Sequence, residues 1–443
     1  MAVLWYTDFH EHNNSMKNKA TSRSPWAFIP TLYFIEGVPY VIINTVSVIF
    51  YKKMGIENAQ ITFWTSLLSI PWIIKMFWSP IVDIYSTKRN WIVYTQVAMT
   101  ACLSFVAVSF QLPNFFVISL LCLAIGAFIS ATYDIAADGF YMLALSNDQQ
   151  ALFAGIRSVF YKVAMLFGSG ILVSLAGRFE ESFKNISLSW TIAIALSALI
   201  FAIFFVFQWL ILPYVEENPK DRPESATNKI PFLPVFRSYF RQENIGAILV
   251  FILLYRFGEA MLVKISPLFL LDERELGGLG LSTLDVGLAN GTYGLASSII
   301  GGILGGLLIS RYGLKKAIWP MTLAIHLPNL FFVYMAYVKP SKEWVYLLVS
   351  LDQFGYGLGF TAFIVYLMYL AKGEYKTSHY AISTGIMALG MTIPGAISGR
   401  IQEAVGYPMF FILVCLLTIP GMITLFFIFL SEEKSSRPEK STP

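Results

Sequence analysis

Two carboxylates four residues apart, Asp134 and Asp138, lie in the stretch from Ala124 to Leu145, AIGAFISATYDIAADGFYMLAL, inside an apolar run that starts near Asn114. At that spacing both rise from one face of a helix, about 6 Å from each other. Ionised side chains at bilayer depth are expensive and commonly mark a path for substrate or protons. A polar cavity is therefore expected around the pair. The plainer alternative is that each acid only neutralises a cation and fixes helix packing. Three more acids, Glu36, Glu259 and Asp352, fall within apolar runs away from their ends, and the bases Lys75, Arg157, Lys162, Arg256 and Lys264 match the acids in number. Equal numbers matter, because an unpaired charge at the bilayer centre costs roughly 2.5–3.5 kcal/mol.

With a rise of ~1.5 Å per residue from the expected cytoplasmic span ends, Asp138 and Arg157 lie at about 10 Å, Lys75 at about 13 Å, Asp134 at about 16 Å and Lys162 at about 18 Å. These five charges share one slab and can meet in one network. The loop SNDQQ between the spans of Asp138 and Arg157 is short, so those two are the expected pair. Arg256 and Glu259, three residues apart, can pair locally. Around a buried carboxylate, apolar surface and nearby cations oppose each other in choosing the protonation state. Opening or closing the surroundings can thus link proton uptake to alternating access, with Asp134, Asp138 and Glu36 as the candidate proton carriers. The cations Lys75, Arg157, Lys162 and Arg256, with Glu259 and Asp352, are candidates for the substrate site. So are Tyr33, Tyr133, Tyr161 and Gln353, joined by Tyr40, Asn44, Trp72, Tyr141 and Tyr366. Rings stack on sugar faces and amides bond hydroxyls, although Tyr and Trp are equally ordinary packing residues in a membrane protein.

The elements that must hold these residues are membrane helices. Of 443 residues, 56% are hydrophobic and only 13% charged, whereas soluble domains carry roughly 25% charged residues. The net charge of +4 is scattered through loops and lacks the clustered stripe that nucleic acid requires. Three cysteines inside apolar spans and four unclustered histidines give no disulfide framework and no metal site; His326 reads as a satisfied packing residue. Apolar runs long enough to cross a bilayer fall at about 26–50, 61–84, 91–110, 114–145, 151–176, 188–213, 245–271, 284–309, 316–338, 343–371, 379–398 and 407–430. The long polar stretch between the sixth and seventh divides them six plus six. The expected organisation is a cytoplasmic tail over 1–25, a six-helix bundle over 26–213, a cytoplasmic linker over 214–244, a second bundle over 245–430 and a cytoplasmic tail over 431–443. Cytoplasmic segments would then hold about 18 lysines and arginines against about eight outside, as the positive-inside rule asks. The N-terminal stretch has no apolar core followed by a cleavage site.

The halves echo each other: MGIENAQITF follows the first span and LGLSTLDVGL the seventh. Twelve spans in two similar halves describe the all-α architecture of the major facilitator superfamily, whose sites lie near the midplane between the halves. SPIVDIYSTKRNW after the second span loosely resembles that superfamily's gate motif, which makes Asp83, Lys88 and Arg89 a cytoplasmic latch, and SRYGLKK repeats it weakly. PTLYFIEGVPY, LLSIPWIIKMFWSPIVD, SATYDIAADGF, LDQFGYGLGFTAFIVYLMYL and HYAISTGIMALGMTIPGAISGRIQEAVGYPMFF together resemble the AmpG-like muropeptide permeases, relatives of the acetyl-CoA transporters.

That resemblance implies proton symport of N-acetylglucosaminyl-1,6-anhydro-N-acetylmuramic acid, with or without its peptide, across a bacterial inner membrane in peptidoglycan recycling. Asp134 and Asp138 match the family's acids in the fourth span, and Lys75 its lysine in the second. Tyr161 and Lys162 stand where a Tyr-Arg pair is usual, and Asp352 with Gln353 where an acid precedes an amide. Arg256 and Lys264 have no clear place in the pattern. The protein would act as a monomer, without cofactor or metal beyond the proton gradient. Alternatives are a carrier for another glycan fragment or an acyl-CoA-like anion, and a sensor that binds without moving its ligand. A membrane acyl- or glycosyltransferase needs a nucleophile or base with an orienting partner, and no such constellation is found.

Overall fold

The computed structural model describes residues 23–215, 232–371 and 376–428. The expected C-terminal tail, nearly all of the N-terminal one and the middle of the linker lie outside the described residues. In a bilayer, backbone polar groups must be satisfied within the segment, so apolar runs of this length fold as helices. No strand occurs among the described residues. We label the spans α1 (Pro25–Lys53), α2 (58–85), α3 (Lys88–Ser109), α4 (Phe115–Ala144), α5 (147–183), α6 (Ile186–Ile211), α7 (Ile245–Leu271), α8 (Thr283–Tyr312), α9 (Leu314–Val338) and α10 (Lys342–Leu370). The last helical stretch, Lys376–Thr424, turns at Gly406, whose φ of 74° suits glycine. It therefore makes two spans, α11 (376–405) and α12 (407–424).

Local chemistry accounts for several boundaries. Prolines occupy first turns, where a missing N–H leaves no bond unmade: Pro25 at the start of α1, Pro71 and Pro80 within α2. The α5 start is a capping box in which Ser146 and Gln149 bond each other's backbone. α2 is interrupted into Asn58–Leu67, Ile70–Ile74, a 3-10 turn Lys75–Phe77 and Ser79–Tyr85. Three spans carry a π-helical segment: Ile42–Val46 in α1, just after Pro39, Leu166–Leu172 in α5, and Gly287–Gly294 in α8.

Two compact units result, one of residues 1–230, 264–292 and 395–404, the other of 231–263, 293–394 and 405–443. α7, α8 and α11 each pass from one unit to the other, and each does so at a weak place in its hydrogen-bond ladder. α7 passes near Pro267 and α11 at Pro394, while α8 passes within its π-helical segment. The second unit packs α8 on α10 through glycine: a Cβ on Gly301 would stand 2.2 Å from the Phe354 carbonyl oxygen, and one on Gly357 2.1 Å from that of Ser298. Its core gathers Phe251, Tyr255, Phe363 and Tyr366, which makes Tyr366 a packing ring.

Candidate functional site

α1 contributes Tyr33, Glu36 and Tyr40 at helical spacing, α4 contributes Asp134 and Asp138, and α5 contributes Arg157. The break in α2 turns Lys75 toward α4: its Nζ lies 3.5 Å from Asp134 Oδ2. Arg157 Nη2 lies 3.2 Å from Asp138 Oδ1, the pairing expected from the short α4–α5 loop. The same oxygen accepts from the Tyr33 hydroxyl at 3.0 Å, and the guanidinium rests over the Tyr33 and Tyr141 rings at 4.7 and 5.3 Å. Glu36 lies within electrostatic range of both acids and both cations. Its buried Oε2 has no hydrogen-bond partner, and neither has Asp134 Oδ1. Three carboxylates thus share two cations. Of the three, Asp134 and Asp138 hold the contacts and Glu36 holds none.

Lys162, expected in this network, is half-buried and makes no hydrogen bond or ion pair among the described residues; Glu36 takes its place. The reason is the α1–α5 contact, where a Cβ on Gly37 would come 2.7 Å from Ala164 Cβ and 3.1 Å from the Tyr161 carbonyl. That contact brings the Glu36 turn of α1 against α5. Tyr161 lies beside Tyr40 at 6.3 Å, and Tyr40 meets Trp72 edge-on at 5.1 Å. Tyr133 stands apart. It is buried, its hydroxyl donates to the Leu32 carbonyl at 3.0 Å, and it borders the Gln96–Gln208 amide pair.

A family model of the Major Facilitator Superfamily matches residues 31–378 and 248–443. The chain belongs to that superfamily. It is 24% identical to a Rickettsia felis protein named as a transporter, AmpG 4, covering 90% of this chain and 94% of that one. It is 25% identical to the anhydromuropeptide permease of Escherichia coli, covering 90% and 78%. Among solved structures, the fold matches a D-xylose-proton symporter with TM-score 0.71 at 11% identity, covering 91% of this chain and 97% of that one. It also matches the nucleoside transporter NupG with TM-score 0.66 at 16% identity, covering 92% and 100%. The protein is thus a multi-pass membrane transporter for a small molecule, and the transferase alternative falls away.

Of the expected gate residues, Arg89 serves a helix end. Arg89 donates to the carbonyls of Leu212 at 3.0 Å and Trp209 at 2.6 Å and lies over the Tyr214 ring at 4.0 Å. It thereby occupies carbonyls that the C-terminus of α6 leaves without intrahelical partners. Lys88 is buried, and its stem crosses α4 beside Asp138: a Cβ on Gly139 would lie 2.7 Å from Lys88 Cε. Asp83 falls in Ser79–Tyr85, and its side chain lies outside the described residues.

The second unit carries its own buried charges. Arg256 grips Glu259 with two bonds, 2.5 and 3.0 Å, reaches the Tyr356 hydroxyl at 3.3 Å and covers the Phe360 ring at 4.7 Å. Asp352, also buried, accepts from Gln353 at 3.1 Å. His326 is buried edge-on to Tyr255, as a packing residue would be, yet both ring nitrogens lack a partner, so it is not the satisfied residue expected.

Sequence reasoning missed a polar junction at the far end of α1. Lys52 pairs with Asp272 at 2.5 Å and donates to Asn58 Oδ1 at 2.8 Å; Asn58 in turn donates to Gln402 Oε1 at 2.7 Å. Lys53 pairs with Glu180 at 3.4 Å, which also accepts from Thr283 at 2.7 Å and from the Trp190 indole at 2.8 Å. These residues sit at span ends, where charge is ordinary and carries no signal of its own.

Proposed function

We propose that this protein is a proton-coupled carrier that imports an anionic amino-sugar or anhydromuropeptide, GlcNAc-anhydroMurNAc with or without peptide, by alternating access. It would work in a bacterial inner membrane as a monomer with both termini cytoplasmic, using the proton gradient and no cofactor. The observation that carries the coupling is the charge count around α1, α4 and α5. Lys75 is engaged by Asp134 and Arg157 by Asp138, while Glu36 touches neither cation. A cluster of three carboxylates and two cations reaches neutrality by holding one proton, and neutrality is strongly favoured in a membrane interior. Glu36 is the acid with no counter-ion in contact, so the proton is assigned to it. The cargo class rests on the anhydromuropeptide permease and AmpG relatives and on the stacking rings Tyr33, Tyr40, Trp72 and Tyr161.

Uptake of labelled anhydro-disaccharide and its peptide forms into vesicles, with and without an imposed proton gradient, tests the reading. Accumulation driven by an acid exterior is the expected result. For one coupled proton each pH unit supports about a tenfold concentration ratio. Uptake that ignores the gradient would overturn the coupling, and saturable binding without flux would identify a sensor.

A further inference from the structure

The intramembrane cations sort into two kinds. Lys75, Arg157 and Arg256 each contact a carboxylate of the protein. Lys162 on α5 and Lys264 on α7 pair with no acid among the described residues, and of these two Lys264 is the one held among polar groups. Its Nζ donates to two neutral oxygens, the Asn44 carbonyl at 3.4 Å and Thr65 Oγ1 at 3.2 Å, and no acid among the described residues pairs with it. An ammonium has three donors, so one is left over together with the whole charge. Lys264 is only half-buried, and it lies inside the first unit, where its partners belong to α1 and α2.

The seat around it is built for an oxygen-rich guest. The Asn44 carbonyl belongs to the π-helical segment Ile42–Val46, where the i→i−4 ladder is broken; such segments recur at functional sites. The Asn44 side chain is held from both sides, donating to the Tyr40 carbonyl at 3.1 Å and accepting from Ser69 Oγ at 2.5 Å. The Tyr40–Trp72 pair stands about one helical turn from Asn44 and Ser69. A fixed amide, two hydroxyls, two rings and an uncompensated ammonium make a complement for a sugar that bears a carboxylate.

We infer that Lys264 is the anchor for the carboxylate of the cargo, the lactyl or peptide acid, and sets selectivity for anionic over neutral sugars. The assignment rests on the function proposed above. It separates the charges that serve the proton, Glu36 with the Lys75 and Arg157 pairs, from the one that serves the cargo.

The test compares the anhydro-disaccharide with its neutral methyl ester, by binding to purified protein and by exchange across vesicles. Wild-type protein is expected to prefer the acid by about tenfold or more, the range of one charge-assisted hydrogen bond. Lys264→Met should bind both compounds as the wild type binds the ester. Lys264→Arg should restore part of the preference. If the Met protein is not recovered folded, Lys264→Gln is read in the same way. A Lys264→Met protein that keeps the preference, or loses acid and ester binding equally, overturns the anchor while leaving the proposed function standing. Wild-type protein that binds neither compound overturns both.

Discussion

Glu36 occupies an unusual position for an acid inside a membrane helix: it neighbours two cations and contacts neither. If it carries the proton, Glu36→Gln mimics the loaded state permanently. Accumulation against a gradient should then vanish while exchange of cargo at equal concentrations persists, a split that vesicle counterflow measures directly. Loss of exchange as well would point to a structural role for Glu36. The Arg256–Glu259 pair answers to different physics. Both side chains are nearly inaccessible, at 6% and 5% exposure, and removing one partner of a buried pair strands the other at about 3–5 kcal/mol. Arg256→Met should therefore lower the unfolding temperature in detergent sharply, and the double change Arg256→Met with Glu259→Met should recover most of the loss. If single and double changes cost alike, the stranded-charge account is wrong for this site.

At the scale of helices, α8 and α10 approach so closely that a methyl group on Gly357 must displace the backbone at Ser298. Gly357→Ala is expected to destabilise the protein by about 1–3 kcal/mol, as overpacking does; a thermal unfolding scan reads the shift. Much of this helical level is legible in the sequence. Apolar run length locates most spans to within a few residues, although α5 and α11 run about seven residues beyond their expected ends, and the short SNDQQ turn is enough to bring Arg157 to Asp138. What apolar length does not encode is hydrogen-bond register. The interruption of α2 that aims Lys75, and the π-helical segments of α1, α5 and α8, change which carbonyls are free without changing composition. Long-range partners are hidden for a related reason. Tyr133 is spent on Leu32 and the Gln208 neighbourhood, and Lys264 meets Asn44 and Thr65 about two hundred residues away. Neither relation leaves a periodic mark.

For the whole molecule, the first compact unit draws residues 264–292 and 395–404 of the later chain into the same body as α1 and α2. Lys52, Asp272, Asn58 and Gln402 tie these pieces together. If the carrier works by the alternating access proposed above, this tie is a candidate to break and reform within the cycle. Lys52→Met and Asp272→Asn should each raise thiol labelling of a cysteine placed at position 59, and the double change should add little, because both remove the same bond. Labelling unaffected by either change would exclude this junction from the cycle. The three helices shared by the units, α7, α8 and α11, each cross at a proline or a widened turn. A rod that bends at one soft joint can be jammed there by any small molecule that splints it. Inhibitors of this transporter therefore need not resemble its cargo, and those that wedge beside Pro394 or the 287–294 turn would depress the maximal rate without competing for the cargo seat.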